Sequence, residues 1–245
     1  MNRTIAGGRY HLEQLVSTGL ANHVWRGIEQ ATQRQVAIKI ARERDGPSQL
    51  QREGEVLQRL RGEHLPTVIE LGPDFLAMEW IPAGPLDRGA PLPPSEFQTV
   101  LGRIAAALEG VHRAGFIHGD VTLSNVLHQG PLTVLIDFNT ALPIGGSTGG
   151  QFIGSSPTMA PELWRGEPVS PATDVYALAA SAYMLLTGEP LFEASSTVQW
   201  MRAHLDRVPE LGKSGSLAAW LAVGLAKDPA ARPQRPSDLL AAWPR

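Results

Sequence analysis

His118-Gly119-Asp120-Val121-Thr122-Leu123-Ser124-Asn125, followed twelve residues after the asparagine by Asp137-Phe138-Asn139, is the stretch on which the reading of this chain turns. It sets an acid, an amide and a second acid at the spacing of metal-assisted phosphoryl transfer. There, one acid orients or deprotonates the attacking hydroxyl, while the amide and the other acid hold divalent ions. A lone Asp-x-x-x-x-Asn carries little weight, since both residues are common in loops. The residues downstream add the weight: Val126-Leu127 and then the apolar run Leu132 to Ile136, which ends in Asp137. A buried strand that delivers an acid at its carboxyl end is the layout of a metal-binding acid.

Lys39 is the second fixed point. Only three of the 21 Lys and Arg residues are lysines: Lys39, Lys213 and Lys227. Base composition accounts for the skew, which also singles out each lysine retained. Lys39 lies in the β-rich run Val36-Ala37-Ile38-Lys39-Ile40. Alone it reads as a surface lysine on a generic strand; beside the downstream acids it reads as a phosphate ligand.

Composition bounds the rest. The 245 residues are 43% apolar and 18% charged, ordinary values for a soluble globular protein long enough for one large domain or two lobes. A net charge of −3 and the lack of a basic patch with interleaved aromatics give no reason to expect nucleic acid. There is no cysteine, which excludes disulfides and Cys-based zinc sites. The longest strongly apolar stretch, Leu217 to Ala226, is too short to span a bilayer, and the amino terminus lacks a signal-peptide pattern. A cytoplasmic protein, or a soluble piece of a longer one, is expected.

Tyr10 to about Glu79 reads as strands, with Phe75 to Trp80 a second β-rich run. One helix interrupts them over Ser48 to Leu60, where Leu50, Val56, Leu57 and Leu60 recur at helical spacing. Ile81-Pro82-Ala83-Gly84-Pro85 is a Pro/Gly break. Helices then come over Phe97 to Arg113, Asp174 to Leu186, Leu217 to Leu225 and Ser237 to Trp243. The second of these is apolar nearly all round, as a central buried helix is. Gly145 to Gly150 is the one low-complexity segment, a flexible Gly/Ser/Thr loop.

Three further features complete the pattern: Ala160-Pro161-Glu162, Asp174 twelve residues on, and Arg232 within Lys227-Asp228-Pro229-Ala230-Ala231-Arg232-Pro233. With Val36-Ala37-Ile38-Lys39 and the opening stretch, they resemble the Hanks-type serine/threonine protein kinase domain in its bacterial form, over nearly the whole chain. The resemblance implies an α+β, bilobal fold: residues 1–80 as a small antiparallel β-sheet lobe with one helix that binds ATP, and residues 81–245 as a helical catalytic lobe. It implies transfer of the γ-phosphate of ATP to Ser or Thr hydroxyls of protein substrates. Asp120, Lys39 and Asn125 would be catalytic, and Asn125 and Asp137 would hold Mg2+ or, in its place, Mn2+. Glu53 would brace Lys39, preferred to Glu55 because Glu53 and Leu60, seven apart, share a helix face. Val16 and Gly19 would cover the phosphates. Val24, Ala37 and Leu127 would sandwich the adenine, with Met78 behind it and Glu79 to Ile81 offering backbone hydrogen bonds. Leu57, Leu71, His118 and Phe138 would stack as an apolar column. Glu162, Asp174 and Arg232 would be structural, Asp174 bracing the catalytic loop and Arg232 pairing with Glu162.

The chain departs from that family in four places. Ser17 and Asn22 stand at two of the three phosphate-loop glycine positions, which predicts a stiffer loop and a higher KM for ATP. Gly119 replaces the Arg that reads activation-loop phosphorylation, so little dependence on phosphate at Ser147 or Thr148 is expected. Thr122 replaces the Lys that meets the γ-phosphate, and its absence argues for slow transfer. Asn139 replaces a Gly and tolerates positive φ. These changes leave open an ATP-binding regulatory module without transfer. His-Gly-Asp is also the spelling in small-molecule kinases resembling aminoglycoside and choline phosphotransferases, but those lack Ala-Pro-Glu, the bracing Asp and the late Arg. Ser155, in Gly154-Ser155-Ser156-Pro157, would supply a hydroxyl to the catalytic acid. His11, His112 and His204 read as surface or core residues rather than ligands.

Overall fold

The computed structural model describes residues 3–19, 21–42, 46–89, 91–149, 154 and 156–244. Ser155 lies outside them. The chain divides into two compact units, Met1–Leu60 with Pro66–Pro82 and Arg61–Leu65 with Ala83–Arg245.

In the first unit, β1 (Arg3–Ile5), β2 (Tyr10–Thr18), β3 (Asn22–Glu29) and β4 (Arg34–Ala41) precede helix α1 (Gly46–Arg59). Strands β5 (Val68–Leu71) and β6 (Phe75–Glu79) come after it. All six strands form one antiparallel sheet in the order β1-β2-β3-β4-β6-β5. Neighbouring side chains along a strand face opposite sides, and this divides the sheet chemically. Val36 and Ile38 join Tyr10, Leu12, Phe75 and Ala77 in an apolar core on one face. Ala37 and Lys39 take the other face, where the ladder sets Met78 opposite Ala37 and Val24 opposite Lys39. Helix α1 packs on β4, β5 and β6. It comes close at Gly54, where a Cβ would fall 2.4 Å from Leu71 Cδ1. The periodicity located this helix, which starts two residues before the expected Ser48.

The second unit runs through β7 (Gly84–Pro85), α2 (Pro94–Arg113), β8 (Phe116–Ile117), β9 (Val126–Gln129), β10 (Leu132–Leu135) and β11 (Leu142–Pro143). Helices α3 (Pro161–Arg165), α4 (Pro171–Thr187), α5 (Thr197–Asp206), α6 (Ala218–Gly224) and α7 (Pro236–Ala241) complete it. Helix α4 is the axis: every residue from Ala172 to Tyr183 is buried, which is why its sequence shows no polar face. Pro171 starts it, the Thr173 hydroxyl accepts the Ser170 N–H (3.2 Å), and Gly188 ends it in the left-handed region at φ 73°. One apolar core gathers α2, α4, α6 and α7, with Tyr176, Leu178, Leu101, Leu108 and Leu239 at its centre.

Residues Arg61–Leu65 group with this unit because β10 holds them: Leu135 N–H donates to His64 O (2.9 Å), and His64 Nδ1 lies 2.9 Å from Thr133 O. Three details differ from the sequence reading. Gly84 and Pro85 are not only a break but pair with His128 and Leu127 as an edge strand. Helices α3 and α5 add to the expected set. Of the segment Gly145 to Gly150 read as a flexible loop, Gly145 and Gly146 exchange hydrogen bonds of 2.8 Å each with Val169, and Gly150 lies outside the described residues. Among the described residues, no helix is long and apolar enough to cross a membrane.

Candidate functional site

In the first unit the sequence candidates converge on one sheet face. Strand alternation and the β3–β4–β6 register bring Val24, Ala37, Lys39 and Met78 to the same side. Lys39 is buried there, and its Nζ donates to Glu53 Oε1 at 2.6 Å, with Glu53 also buried. Glu55 is exposed and points elsewhere on α1. A buried ion pair is held only while both partners stay, because either charge left alone would be uncompensated. Val16 is exposed on β2, 48% of its surface reaching solvent. Gly19 closes the β2–β3 turn, its N–H donating to Asn22 O (2.9 Å). The Glu79 N–H is taken by Thr67 O (2.9 Å), so of the backbone groups expected to meet a base, this donor is already engaged.

The second unit gathers His118, Asp120, Asn125, Asp137 and Phe138. Asn125 Nδ2 donates to both Asp120 Oδ2 (2.9 Å) and Asp120 O (3.0 Å), which fixes the amide on the acid. Asn125 O in turn accepts from Ile136 N–H (2.8 Å), tying the loop to the residue before Asp137. His118 reaches the same place by another route. Its Nδ1 accepts the Asp120 N–H (3.2 Å), so its proton sits on Nε2, 3.0 Å from Ile136 O. Its ring packs edge-on against Phe138, centroids 4.7 Å apart. Asp137 itself is held at φ 67°, rare for a non-glycine. The positive φ falls on Asp137 and not on Asn139, where the sequence suggested it; Asn139 instead donates from Nδ2 to Asp137 Oδ1 at 2.5 Å. Leu127 lies on β9 in this unit. Thr122 is buried and uncharged.

Behind the loop stands Asp174, completely buried in the first turn of α4. Its Oδ2 accepts the His118 N–H (2.8 Å), its Oδ1 the Gly119 N–H (2.9 Å), and His112 Nε2 lies 2.7 Å from Oδ2. Burial pushes its pKa up, but the His112 hydrogen bond and charge, with the Gly119 N–H, outweigh it and hold the carboxyl below its ordinary value. Gly119 sits at φ 78°, and a Cβ there would come 2.9 Å from Thr140 O. A second brace joins α3 to the segment before α7. Arg232 makes a bidentate pair with Glu162 (2.8 and 2.9 Å), both side chains almost wholly buried.

Two participants escaped the sequence reading. His112 reads as an ordinary helix residue, yet it touches the bracing acid 62 positions later. Arg42, just past β4, donates from Nη1 to Gly19 O at 2.8 Å. Neither leaves a periodic or motif signal, since each acts through a partner distant in sequence.

The protein kinase domain profile matches residues 10–233. The chain is 32% identical over 241 residues to the serine/threonine-protein kinase PknK of Mycobacterium bovis, covering 88% of this chain and 22% of that protein. It is 28% identical over 255 residues to the serine/threonine-protein kinases drp72 of Corynebacterium efficiens (93% and 49%). It is 29% identical over 224 residues to PknL of Mycobacterium tuberculosis (84% and 56%). The chain thus spans between 22% and 56% of the length of these relatives. With the match running through both units, the chain belongs to the protein kinase domain family, in its bacterial Hanks-type branch.

Proposed function

We propose that this chain transfers the γ-phosphate of ATP to Ser or Thr hydroxyls of protein substrates, with Mg2+ as the ion. The observation that carries the reading is the Asn125 amide bonded to Asp120. An acid held so by its neighbour is oriented before any substrate arrives, and pre-orientation is the larger part of what phosphoryl transfer asks of a protein.

The residues present suit the ion and the nucleotide. The Asp137 carboxylate and the Asn125 amide carbonyl are hard oxygen donors of the kind Mg2+ takes, one or two from protein beside phosphate and water. Among the described residues no three His, Asp or Glu form a cage of their own. When bound, the ion would neutralise charge developing on the phosphates. Gly19 has no left-handed φ, and a Cβ on it would meet only Asn22, at 3.5 Å or more. The fold therefore does not demand glycine there, whereas a closely approaching phosphate would.

In the reaction, the substrate oxygen bonds to the γ-phosphorus as the bond to the β–γ bridging oxygen breaks, ADP departs, and the hydroxyl proton passes to the Asp120 carboxylate. Lys39, steadied by Glu53, places the phosphates. Val24, Ala37, Met78 and Leu127 take the base, with the Glu79 carbonyl and Ile81 as its backbone partners. Thr122 supplies no charge, which favours slow turnover and keeps a second reading in play: nucleotide binding without transfer.

Transfer of label from γ-32P-ATP to the chain itself or a generic protein decides between the two. Wild type should label, and Asp120→Asn should lower the rate by about 10²- to 10⁴-fold while ATP binding persists. Wild type that binds ATP and never labels would establish the second reading instead.

A further inference from the structure

The turn joining β2 and β3 is fastened to an arginine that the proposed chemistry does not use. Gly19 O accepts from Arg42 Nη1 (2.8 Å) and Ala21 O accepts from the Arg42 N–H (2.9 Å). Both ends of the turn therefore hang on one residue, which stands immediately after β4 and three positions beyond Lys39. The neighbourhood is close-packed: a Cβ on Gly46, at the start of α1, would lie 2.7 Å from Ala21 O. Strand β4 is itself pinned where it ends, with Ala41 N–H donating to Asp74 O (2.9 Å). Across the turn, the Gly19 N–H is spent on Asn22 O, and Thr18 Oγ1 lies 3.1 Å from His23 Nδ1.

We propose that Arg42 is a positioning residue of the nucleotide site, its guanidinium holding the Gly19 turn at a set height over the strand that carries Lys39. The proposal rests on the nucleotide-binding reading above. A loop with three glycines owes its cover of phosphates to conformational freedom and must be ordered when the nucleotide arrives, which weakens binding. This chain keeps one glycine of the three, and Gly19 does not use the left-handed region. Order is supplied beforehand, by one arginine side-chain hydrogen bond and two backbone hydrogen bonds. Arg suits the task because its long, always-charged side chain reaches Gly19 O, while its main-chain N–H, as any residue's would, serves Ala21 O. The thin glycine content thereby has a counterpart: a turn that needs little ordering, provided Arg42 is there.

Three measurements on the 245-residue chain test this: amide hydrogen exchange over the Thr18–Val24 segment without nucleotide, the Kd of a fluorescent mant-ADP with Mg2+, and the split of steady-state transfer into KM for ATP and kcat. Arg42→Ala should speed exchange in that segment and raise both Kd and KM about fivefold, as expected for an exposed charge-assisted hydrogen bond, with kcat within about twofold of wild type. Arg42→Lys, which retains one charged donor, should recover most of the loss. Wild-type exchange and Kd in Arg42→Ala would overturn the assignment while leaving the nucleotide reading intact, as would a fall in kcat at unchanged KM. Wild type that fails to bind mant-ADP would remove the nucleotide reading and the assignment together.

Discussion

Replacing Arg232 by methionine removes a charge from a buried polar cluster whose donors are all satisfied. All five guanidinium donors are in use: Nε on Ala226 O (2.6 Å), Nη1 on Glu162 Oε1 and Ala172 O (2.8 and 2.9 Å), and Nη2 on Glu162 Oε2 and Lys227 O (2.9 and 3.0 Å). The side chains of Arg232 and Glu162 are 0% and 1% exposed, so water cannot take over. The variant leaves a buried carboxylate, a buried carbonyl and two half-buried carbonyls without their donor, and breaking a buried pair in this way costs about 3–5 kcal/mol. In a chain of this size that lowers the melting temperature by roughly 6–20 °C. Arg232→Lys should recover only part, since an ammonium has three donors and cannot match the carboxylate fork. The assay is urea unfolding followed by tryptophan fluorescence, run as a double-mutant cycle with Glu162→Met. Because the double variant buries no unpaired charge, it should be more stable than the sum of the singles predicts, by about 1–3 kcal/mol. A single variant that loses under about 1 kcal/mol, or a strictly additive cycle, would refute the reasoning.

Other expected outcomes rest on named contacts. Gly119→Ala should cost at least about 1 kcal/mol in thermal unfolding, because it forces φ 78° on a residue whose Cβ would meet Thr140 O at 2.9 Å; unchanged stability would show that the loop relaxes. Ser147→Ala with Thr148→Ala should retain labelling activity, since Gly119 offers no cation to a phosphate and Thr148 is buried; abolished activity in a folded protein would contradict that. His204 is buried, with its pKa driven down to about 3 by burial and by the Lys227 charge. A depressed folded pKa means that its contribution is complete above the unfolded value near 6.5 and is lost as pH falls towards about 3, by up to about 1.4 kcal/mol per pH unit. The urea midpoint should fall over that window, and His204→Gln should flatten the fall. Lys39→Met should destabilise as well as inactivate, because it removes the cation that stands 2.6 Å from the buried Glu53 carboxylate; a melting temperature equal to wild type would show that the pair adds nothing to stability.

Much of the architecture is legible along the chain because it is written in local periodicity. The apolar positions of α2 recur at helical spacing, and α4 reads as a buried helix from its uniform composition. Helix α3 has five residues and so is too short to show a period, while α5 mixes polar and apolar residues until its partners are known. Gly84 and Pro85 carry turn chemistry and become a strand only because β9 lies beside them. The spacing from Asp120 to Asn125 and Asp137 is likewise a property of the chain alone.

Some partners that hold those groups still, such as Arg232 with Glu162, were named in advance only through the family resemblance, and others were not legible at all. Glu53 could be preferred to Glu55 from a helix face, but the choice became a 2.6 Å ion pair only when α1 packed on the sheet. His112 meets Asp174, and Arg42 meets Gly19, through folding that joins residues 62 and 23 positions apart. Residue type and spacing along one strand or helix are set by backbone geometry, so chemistry of that range can be read in advance. Which distant donor finds which acceptor is decided by packing, where every buried polar group must be satisfied at once.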